Sequence, residues 1–410
     1  MKPTRTDLSR HITLQIGTLK LIGVWFFIPY GLKNVKFWIR ILTRIVIGIV
    51  MFVIPTSSQL IYVVRLILSG NAEIQEVAGI INLIMTEMLV SLRLLDLSLR
   101  RHQLMELWDQ LRSDEFQFYL KDQKDILEKA IKFSRTLFWV LALSSSADVF
   151  VHMIVAPALQ NFENLPLKMD FVFIDVNKES YEYFNYIFAY QVLFKPMMLT
   201  TFWALQTLPW AAMSFSQLDV LIYNFENMET LIKVTAAERQ CSENEAFKEI
   251  FKRYILHHSS IIKFVNTIQV TFSGLLSATL FLSTGILGST AVILFIESPT
   301  KNLTEVSWVL AYLVVFVGNL YIDCYFGNTI TAKSLHISTV VFSCPWIKLP
   351  TTLKKDLILF IAKTQRPLVI TAAKLVPVSL ETFTKVTRQI NYLLTHLPII
   401  RKIFRIYLEA

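Results

Sequence analysis

The sequence is poor in the residues that characterise soluble or disulfide-bonded domains. Charged residues make up only 17% of the 410 residues, and there are three cysteines, Cys241, Cys324 and Cys344. Soluble domains contain about 25% charged residues, and small secreted scaffolds need a dense, even set of cysteines. Both classes are therefore excluded, and we expect three free thiols.

Patterns for catalysis, metal binding and nucleic-acid binding are also missing. The seven histidines have no metal-ligand spacing, and Cys241 has no evident partner base. We therefore expect no enzyme activity and no cofactor. The net charge of +9 forms no single basic patch, so we expect no nucleic-acid partner.

What the chain does contain is long apolar segments. Apolar residues make up 54% of the sequence, and a bilayer-spanning helix needs about 20 of them in succession. The pattern predicts an all-α membrane protein with seven transmembrane helices. The predicted spans lie near Ile41–Leu68, Glu76–Leu97, Phe133–Ala156, Tyr183–Phe215, Ile268–Phe295, Val306–Tyr325 and Leu375–Leu397.

Lysine and arginine residues indicate the orientation of these spans. Thirty of the 40 lie before the first span or in the gaps that follow spans two, four and six. Because short loops rich in Lys and Arg stay in the cytoplasm, we predict a cytoplasmic N-terminus and an extracellular C-terminus. The N-glycosylation sequon at Asn302 falls in a loop that this topology places outside.

The topology divides the chain into five segments. We predict a bundle of spans one to four at 1–215, a cytoplasmic helical anchor segment at 216–267 and spans five and six at 268–325. A cytoplasmic anchor helix follows at 326–374, and the seventh span with an extracellular tail occupies 375–410. The loops between the spans are too short or too polar to form a separate domain.

Two ionisable residues lie at similar depth in the predicted spans. Asp148 falls in span three and Lys195 in span four, and a charge inside a bilayer must be paired or exposed to water. They form either a structural ion pair or a direct contact to a ligand.

Aromatic residues crowd the predicted outer half of span four, close to serines and apolar residues of span three. The cluster favours an apolar pocket for a small organic ligand. An interfacial aromatic belt with ordinary packing is the alternative. The residues of span four are Tyr181, Tyr183, Phe184, Tyr186, Phe188, Tyr190 and Phe194.

The last span carries a polar stripe. Thr384, Arg388, Asn391 and Thr395 are spaced by four, three and four residues, which places them on one helical face. Such a face must meet water or protein rather than lipid. A single bundle can bury it, and several copies around an axis would form an aqueous pore.

The C-terminal part of the chain resembles the signature of insect odorant receptors. The stretches that carry the resemblance are Trp346–Pro350, Gln365–Leu368, Thr371–Lys374 and Pro377–Phe383. Tyr254–His258 and Leu19–Trp25 are similar to that family too, and the resemblance extends over the whole length.

The resemblance implies an odorant-gated, non-selective cation channel in the plasma membrane of sensory-neuron dendrites. Such receptors are heterotetramers of an odour-tuned subunit with a shared olfactory co-receptor. Inner helices anchor the subunits and the final helix lines the pore, with its narrow gate near Asn391 and Thr395. Polar residues at these two positions favour an odour-tuned subunit over a co-receptor.

In this family, a small volatile organic odorant binds in the outer half of the bundle. The positions implied here are Val77, Ile80, Ile81, Ser145, Val149, Met153, Tyr186, Tyr190 and Tyr312. An insect gustatory-type channel, which shares the architecture, is one alternative, although the terminal Thr-Tyr…Gln-Phe pattern of that family is absent here. A G-protein-coupled receptor is another, although its Asp-Arg-Tyr and Asn-Pro-x-x-Tyr motifs are absent.

Overall fold

The computed structural model describes most of the chain after residue 47. The described residues are 48–70, 73–117, 120–159, 169–170, 181–204, 208–296, 303–347 and 349–408, together with positions 17, 42, 46 and 167. Nearly all of these residues are helical, so the prediction of an all-α protein is confirmed. The sequon at Asn302 lies outside the described residues.

The first half of the described chain contains six α-helices, with π-helical turns at Ile49–Val53 and Val151–Val155. The helices are α1 (Ile54–Leu68), α2 (Ile74–Leu99), α3 (Arg101–Gln110), α4 (Lys121–Phe150), α5 (Ala156–Leu159) and α6 (Tyr181–Ala204). Pro55 occupies the first turn of α1, where its missing N–H costs nothing.

The second half contains six further helices and one short antiparallel strand pair. These elements are α7 (Leu208–Glu226), α8 (Met228–Arg239), α9 (Glu243–Ile296), α10 (Leu303–Phe342), α11 (Thr351–Thr364), β1 (Thr371–Ala372), β2 (Val376–Pro377) and α12 (Leu380–Leu408). Ser242 and Glu245 form a capping box at the start of α9: the Ser242 N–H donates to Glu245 at 3.1 Å, and the Glu245 N–H donates to the Ser242 hydroxyl at 3.3 Å.

Helix α9 is the central element of the bundle. Its 54 residues extend about 80 Å at ~1.5 Å per residue, whereas a bilayer core is about 30 Å thick. It packs along α2 and also contacts α3, α7, α8, α10 and α12. Helix α10 packs on α7, and Lys333 on α10 forms an ion pair with Asp219 on α7.

Three helical stretches of the described chain are long and apolar enough to cross a membrane. They are Ile74–Asp96, Glu243–Leu294 and Tyr312–Phe342, and Ile54–Leu68 is a shorter apolar helix. Helices also occupy the described parts of the other predicted spans, except for the first five residues of the last one. The count of seven spans and the orientation of the termini stay predictions.

Several predicted boundaries differ from the helix ends. We predicted that the last span begins at Leu375, but α12 begins at Leu380 because residues 371–377 form the strand pair with Pro377 in β2. The predicted boundaries 267/268 and 325/326 fall inside α9 and α10, which continue without a break. These divisions therefore do not coincide with helix ends.

Candidate functional site

A small buried cluster lies apart from the main hydrophobic core. It contains Leu83, Met153, Leu167 and Met169, which are 8%, 2%, 1% and 5% exposed. Val149, Ile154 and Tyr190 pack against it. We call this set the methionine cluster. Thioether side chains adapt to irregular shapes, so such a cluster can accommodate a small apolar ligand.

Part of the loop between α5 and α6 covers the methionine cluster. The fully buried side-chain amide of Gln191 on α6 donates to the carbonyl of Leu167 at 2.7 Å and accepts from its N–H at 3.1 Å. Asp170 forms an ion pair with Arg65, and its N–H donates to the carbonyl of Ser58 at 3.1 Å. These contacts attach the loop to both α6 and α1.

Both described π-helical turns lie beside the methionine cluster. Met153 belongs to the turn Val151–Val155. The turn Ile49–Val53 presents the carbonyl of Val50, which accepts a hydrogen bond of 2.7 Å from the Tyr190 hydroxyl. A π-turn disrupts the regular backbone ladder and occurs frequently at functional sites. Tyr190 therefore contacts the turn Ile49–Val53 directly and packs against the cluster to which Met153 belongs.

The predicted ligand residues lie in two neighbouring groups and a few separate positions. Val149, Met153 and Tyr190 meet in the methionine cluster. On α2, Ile80 is buried, Val77 is half-buried and Ile81 is exposed; Ser145 on α4 is buried. Tyr186 is 73% exposed and lies away from the cluster.

Tyr312 belongs to the second group, a polar network between α2, α9 and α10. Its hydroxyl shares a hydrogen bond with the Thr86 hydroxyl and donates to the Asn82 carbonyl at 3.3 Å. The Asn82 amide donates to Thr290 at 2.9 Å and accepts from Ser289. This network connects three helices, and its member Asn82 directly precedes Leu83 of the methionine cluster.

The side chain of Asp148 lies outside the described part of the structure, so its predicted partnership with Lys195 stays a prediction. Among the described residues, the carboxylate of Glu87 on α2 interacts electrostatically with Lys195. Glu87 is fully buried and accepts hydrogen bonds from Gln59 at 2.9 Å and Thr56 at 3.2 Å.

A second buried charge pair lies deeper in the bundle. Arg93 on α2 is fully buried, and its guanidinium donates to Thr279 on α9 at 2.8 Å. The carboxylate of Asp323 on α10 lies close enough for its charge to stabilise the guanidinium. Our reading of the sequence missed Glu87, Arg93 and Asp323, although an ionisable residue within a predicted span is itself a signal.

The end of α2 contacts the backbone of α9. The Asp96 carboxylate accepts from the Leu275 N–H at 3.1 Å and forms a 2.7 Å ion pair with Arg100. The Arg100 guanidinium also donates to the carbonyl of Val270. These contacts engage backbone groups that ordinarily bond only within a helix.

The strand pair before α12 attaches to the same part of α9. The Gln269 amide donates to the Thr371 carbonyl at 2.7 Å and accepts from the Thr371 N–H at 2.7 Å. Ala373 and Lys374 have φ values of 50° and 59°, which non-glycine residues adopt only when surrounding contacts compensate. The N–H of Ala373 donates to the Ser273 carbonyl at 3.5 Å.

Gly327 allows the strand pair to pack tightly on α10. A Cβ atom at this position would overlap the carbonyl oxygen of Val378 and lie 3.1 Å from its carbon. At the start of α12, the Thr382 hydroxyl donates a hydrogen bond of 2.6 Å to the Pro377 carbonyl. The chain that enters α12 is thus held by both α9 and α10.

The four residues of the predicted polar stripe lie exposed along α12. Thr384 and Thr395 donate their hydroxyls to the carbonyls of Leu380 at 2.9 Å and Tyr392 at 2.8 Å. Arg388 and Asn391 are also exposed. A membrane helix cannot present such a face to lipid, so the face requires water or a neighbouring chain.

Metal-ligating clusters and disulfide bonds are absent from the described part of the chain. No group of three or more His, Cys, Asp or Glu residues among the described positions could hold a metal ion. Cys241, Cys324 and Cys344 are free thiols, as predicted. Together, the apolar helices, the covered cluster and the polar-faced last helix define an α-helical membrane protein.

Comparisons with known proteins identify its family. The family described as 7tm Odorant receptor matches residues 73–390. The chain therefore belongs to the insect odorant receptor family. This family consists of membrane receptors and is not a family of enzymes.

Individual relatives are distant in sequence. Odorant receptor 94a of Drosophila melanogaster is 21% identical over 387 residues, which cover 92% of this chain and 94% of the relative. Odorant receptor 10 of Aedes albopictus is 26% identical over 154 residues, 37% of this chain. Odorant receptor Or2 of Anopheles gambiae is 27% identical over 172 residues, 42% of this chain. The two mosquito matches span 39% and 43% of those receptors' lengths.

A solved structure supports the fold over the whole chain. The insect olfactory receptor OR5 from Machilis hrabei, in complex with eugenol, superposes with a TM-score of 0.76 at 14% sequence identity. The superposition covers 96% of this chain and 98% of that receptor. A second structure of the same receptor superposes with a TM-score of 0.74.

Proposed function

We propose that the chain is the odour-tuned subunit of an odorant-gated, non-selective cation channel. The observation that carries this proposal is the family match over residues 73–390. It is supported by the covered methionine cluster and by the exposed polar face of α12. The subunit resides in the plasma membrane and assembles with the olfactory co-receptor into a heterotetramer.

The ligand is a small volatile organic molecule that binds at the methionine cluster. Of the predicted positions, Met153 belongs to the methionine cluster, and Val149 and Tyr190 pack against it. Val77, Ile80, Ile81, Ser145 and Tyr312 complete the proposed pocket. The related receptor OR5 was solved with eugenol, a small aromatic ligand of the kind that such an apolar pocket suits. Exposed Tyr186 is not retained in this pocket.

The pore is lined by the stripe Thr384, Arg388, Asn391 and Thr395. Four copies of Arg388 around one axis would repel cations. A pore that contains co-receptor subunits has fewer of these positive charges, which favours the heterotetramer. The seven-span topology, with a cytoplasmic N-terminus and extracellular C-terminus, follows from the distribution of Lys and Arg.

The segments 216–267 and 326–374 form the cytoplasmic anchor between subunits, and 375–410 carries the pore helix. Exposed apolar residues on this part of the chain, such as Ile358 and Leu359 at 63% and 70% exposure, suit a subunit contact. Burial of such residues against another subunit is favourable by about 25 cal/mol per Å² of apolar surface.

Ligand binding reaches the pore through α2 and α9. The ligand contacts α2 near Ile80 and Leu83, and the end of α2 binds α9 through Asp96. Gln269 and Ser273 of α9 hold the strand pair that leads into α12. A ligand that binds one arrangement of these helices more tightly shifts the population toward it.

Co-expression with an olfactory co-receptor tests the proposal. We expect cation currents evoked by a panel of volatile aromatics when both subunits are present in the cell membrane. The co-receptor alone, expressed at the same surface level, is the control and should not respond to that panel. Epitope tags at both termini of intact cells test the orientation separately.

A further inference from the structure

A separate cavity lies among the helices of the predicted cytoplasmic side. It has a volume of about 230 Å³ and lies between the 3₁₀ turn Asp114–Phe116, the start of α4, and helices α7, α8 and α9. We call it the amide cavity, because side-chain amides form much of its wall. None of its lining residues belongs to the methionine cluster.

Buried polar groups organise the floor of the amide cavity. Gln117, Gln123 and Asn224 are 8%, 4% and 4% exposed and all line it. The Gln123 amide donates to the Asn224 carbonyl oxygen at 2.6 Å, which fixes the orientation of both side chains. Val220 and Ile250, both buried, provide an apolar wall against which a ring can pack.

The rim of the amide cavity has an excess of negative charge. Asp114 and Glu115 line it and are both exposed. Glu115 makes no ion pair with any residue in the described ranges. Arg253 is the one cationic side chain in the described lining, and Glu249 binds its guanidinium at 3.2 Å. A positively charged ligand therefore fits the rim better than an anion.

We propose that the amide cavity is a binding site for a small organic cation, a single ring that carries a protonated amine. Its volume exceeds the ~150 Å³ of an apolar cavity that holds benzene. The ring packs on Val220 and Ile250, and the ammonium group lies near Glu115 with amide oxygens of the floor as further acceptors.

Occupancy of this site modulates channel opening, and this part rests on the proposed function. Tyr254 lines the cavity, and its ring contacts Phe225 with centroids 5.0 Å apart. Phe225 contacts Phe360 of α11 at 5.7 Å. Helix α11 leads directly through the strand pair to α12. A ligand that displaces Tyr254 therefore changes the packing of the segment before the proposed pore helix.

Fluorine NMR of 4-fluorobenzylamine with the purified full chain tests binding without any need for channel activity. We expect saturable binding, and weaker binding of the neutral 4-fluorobenzyl alcohol. Glu115→Gln should weaken binding of the amine by up to about fivefold, the upper end of the effect of one exposed charge pair. Glu238→Gln, at an exposed position outside the cavity, should have no effect.

Three further variants locate the probe. Val234→Trp fills the cavity and Thr235→Arg adds a positive charge to its lining, so each should abolish binding while the protein stays monodisperse. Met153→Trp, in the methionine cluster, should leave binding unchanged. Absence of binding to the unaltered chain, or binding that is lost only in Met153→Trp, overturns the proposal.

The modulatory role is tested in membrane patches that contain the channel, by application of 4-fluorobenzylamine to their cytoplasmic face. We expect the odorant-evoked current to change, and the change to be lost in Val234→Trp. A bound probe that leaves the current unaltered overturns the modulatory role. If no odorant evokes current at all, the proposed function fails while the NMR measurement still decides the binding site.

Discussion

The Asp96 carboxylate accepts a hydrogen bond of 3.1 Å from the backbone N–H of Leu275, in the interior of α9. The preceding residue, Gly274, allows this approach, since a Cβ atom there would lie 2.7 Å from the Asp96 carboxylate oxygen. A side chain that bonds a helix backbone in this way couples the position of α2 to the local geometry of α9. Any displacement of α2 by a ligand must therefore change α9 at this point.

Replacement of Asp96 should weaken the coupling of ligand binding to opening. Asp96→Ala removes the carboxylate that binds the Leu275 N–H and the Arg100 guanidinium. The loss of these partners costs about 1–3 kcal/mol of folding free energy. We expect a smaller maximal odorant current at equal surface expression. Asp96→Asn keeps an acceptor oxygen and should retain most of the current; an equal loss in both variants would contradict this role.

The contact of Gly327 with Val378 should not tolerate a side chain. Gly327→Ala forces the strand pair away from α10, and we expect destabilisation of about 1–3 kcal/mol, measured as a lower melting temperature of the purified protein. Gly318→Ala on the same helix is the matched control, because no atom lies within 4 Å of its added Cβ. It should be neutral or stabilising, as Ala favours helices.

Removal of Glu87 alone should be more harmful than removal of the charge pair. Glu87→Leu removes a buried carboxylate that favours the charge of Lys195 and leaves the Gln59 amide without its acceptor, at a cost of about 1–3 kcal/mol. The double variant Glu87→Leu/Lys195→Met should recover much of that loss in thermal unfolding. Additive losses in the double variant would show that the two charges do not interact.

Truncation within the methionine cluster should change odorant sensitivity. Met153 is 2% exposed, and Met153→Ala removes contacts to the proposed ligand. We expect the half-maximal odorant concentration to rise about tenfold, equivalent to ~1.4 kcal/mol. Met88→Ala, at a 43% exposed position on α2, is the control and should leave the dose–response curve in place.

Cys344 should resist alkylation in the folded protein. It is 5% exposed, and burial raises the pKa of its thiol to about 12. Because the thiolate is the nucleophile, the protonated thiol at pH 8 reacts slowly and becomes more reactive only as the pH approaches that value. Mass spectrometry after brief iodoacetamide treatment should find Cys241, which is half-buried, modified first. Equal labelling of both would contradict the burial of Cys344.

Much of the helical architecture was predictable from the apolar runs. Their length and composition predict the helices around α2, α9 and α10 because a segment that is apolar on most faces is stable only inside a bundle or bilayer. The C-terminal stretches from Trp346 to Phe383 indicated the family, and the comparison confirms it. The start of α12 was misplaced because a two-residue strand pair has no periodic signal.

The partners of buried charges were harder to predict. Depth along a helix can be counted from its end, but rotation about its axis depends on packing over the whole bundle, so the interaction of Glu87 with Lys195 was not predicted. Gln191 and Leu167, 24 residues apart, were missed for a related reason. No local sequence pattern predicts that the Leu167 carbonyl in the loop will accept a hydrogen bond from the Gln191 amide on α6.

Helix α9 also has a mechanical consequence. Its 54 residues form one rod with the Asp96 contact partway along it and the capping box at one end. At ~1.5 Å per residue, the arm from Leu275 to Glu243 is about 48 Å long, so a tilt of about 3° at Leu275 would move the far end by about 2.5 Å. A small tilt of α9 at Leu275 would therefore produce a larger displacement at its first residue, Glu243.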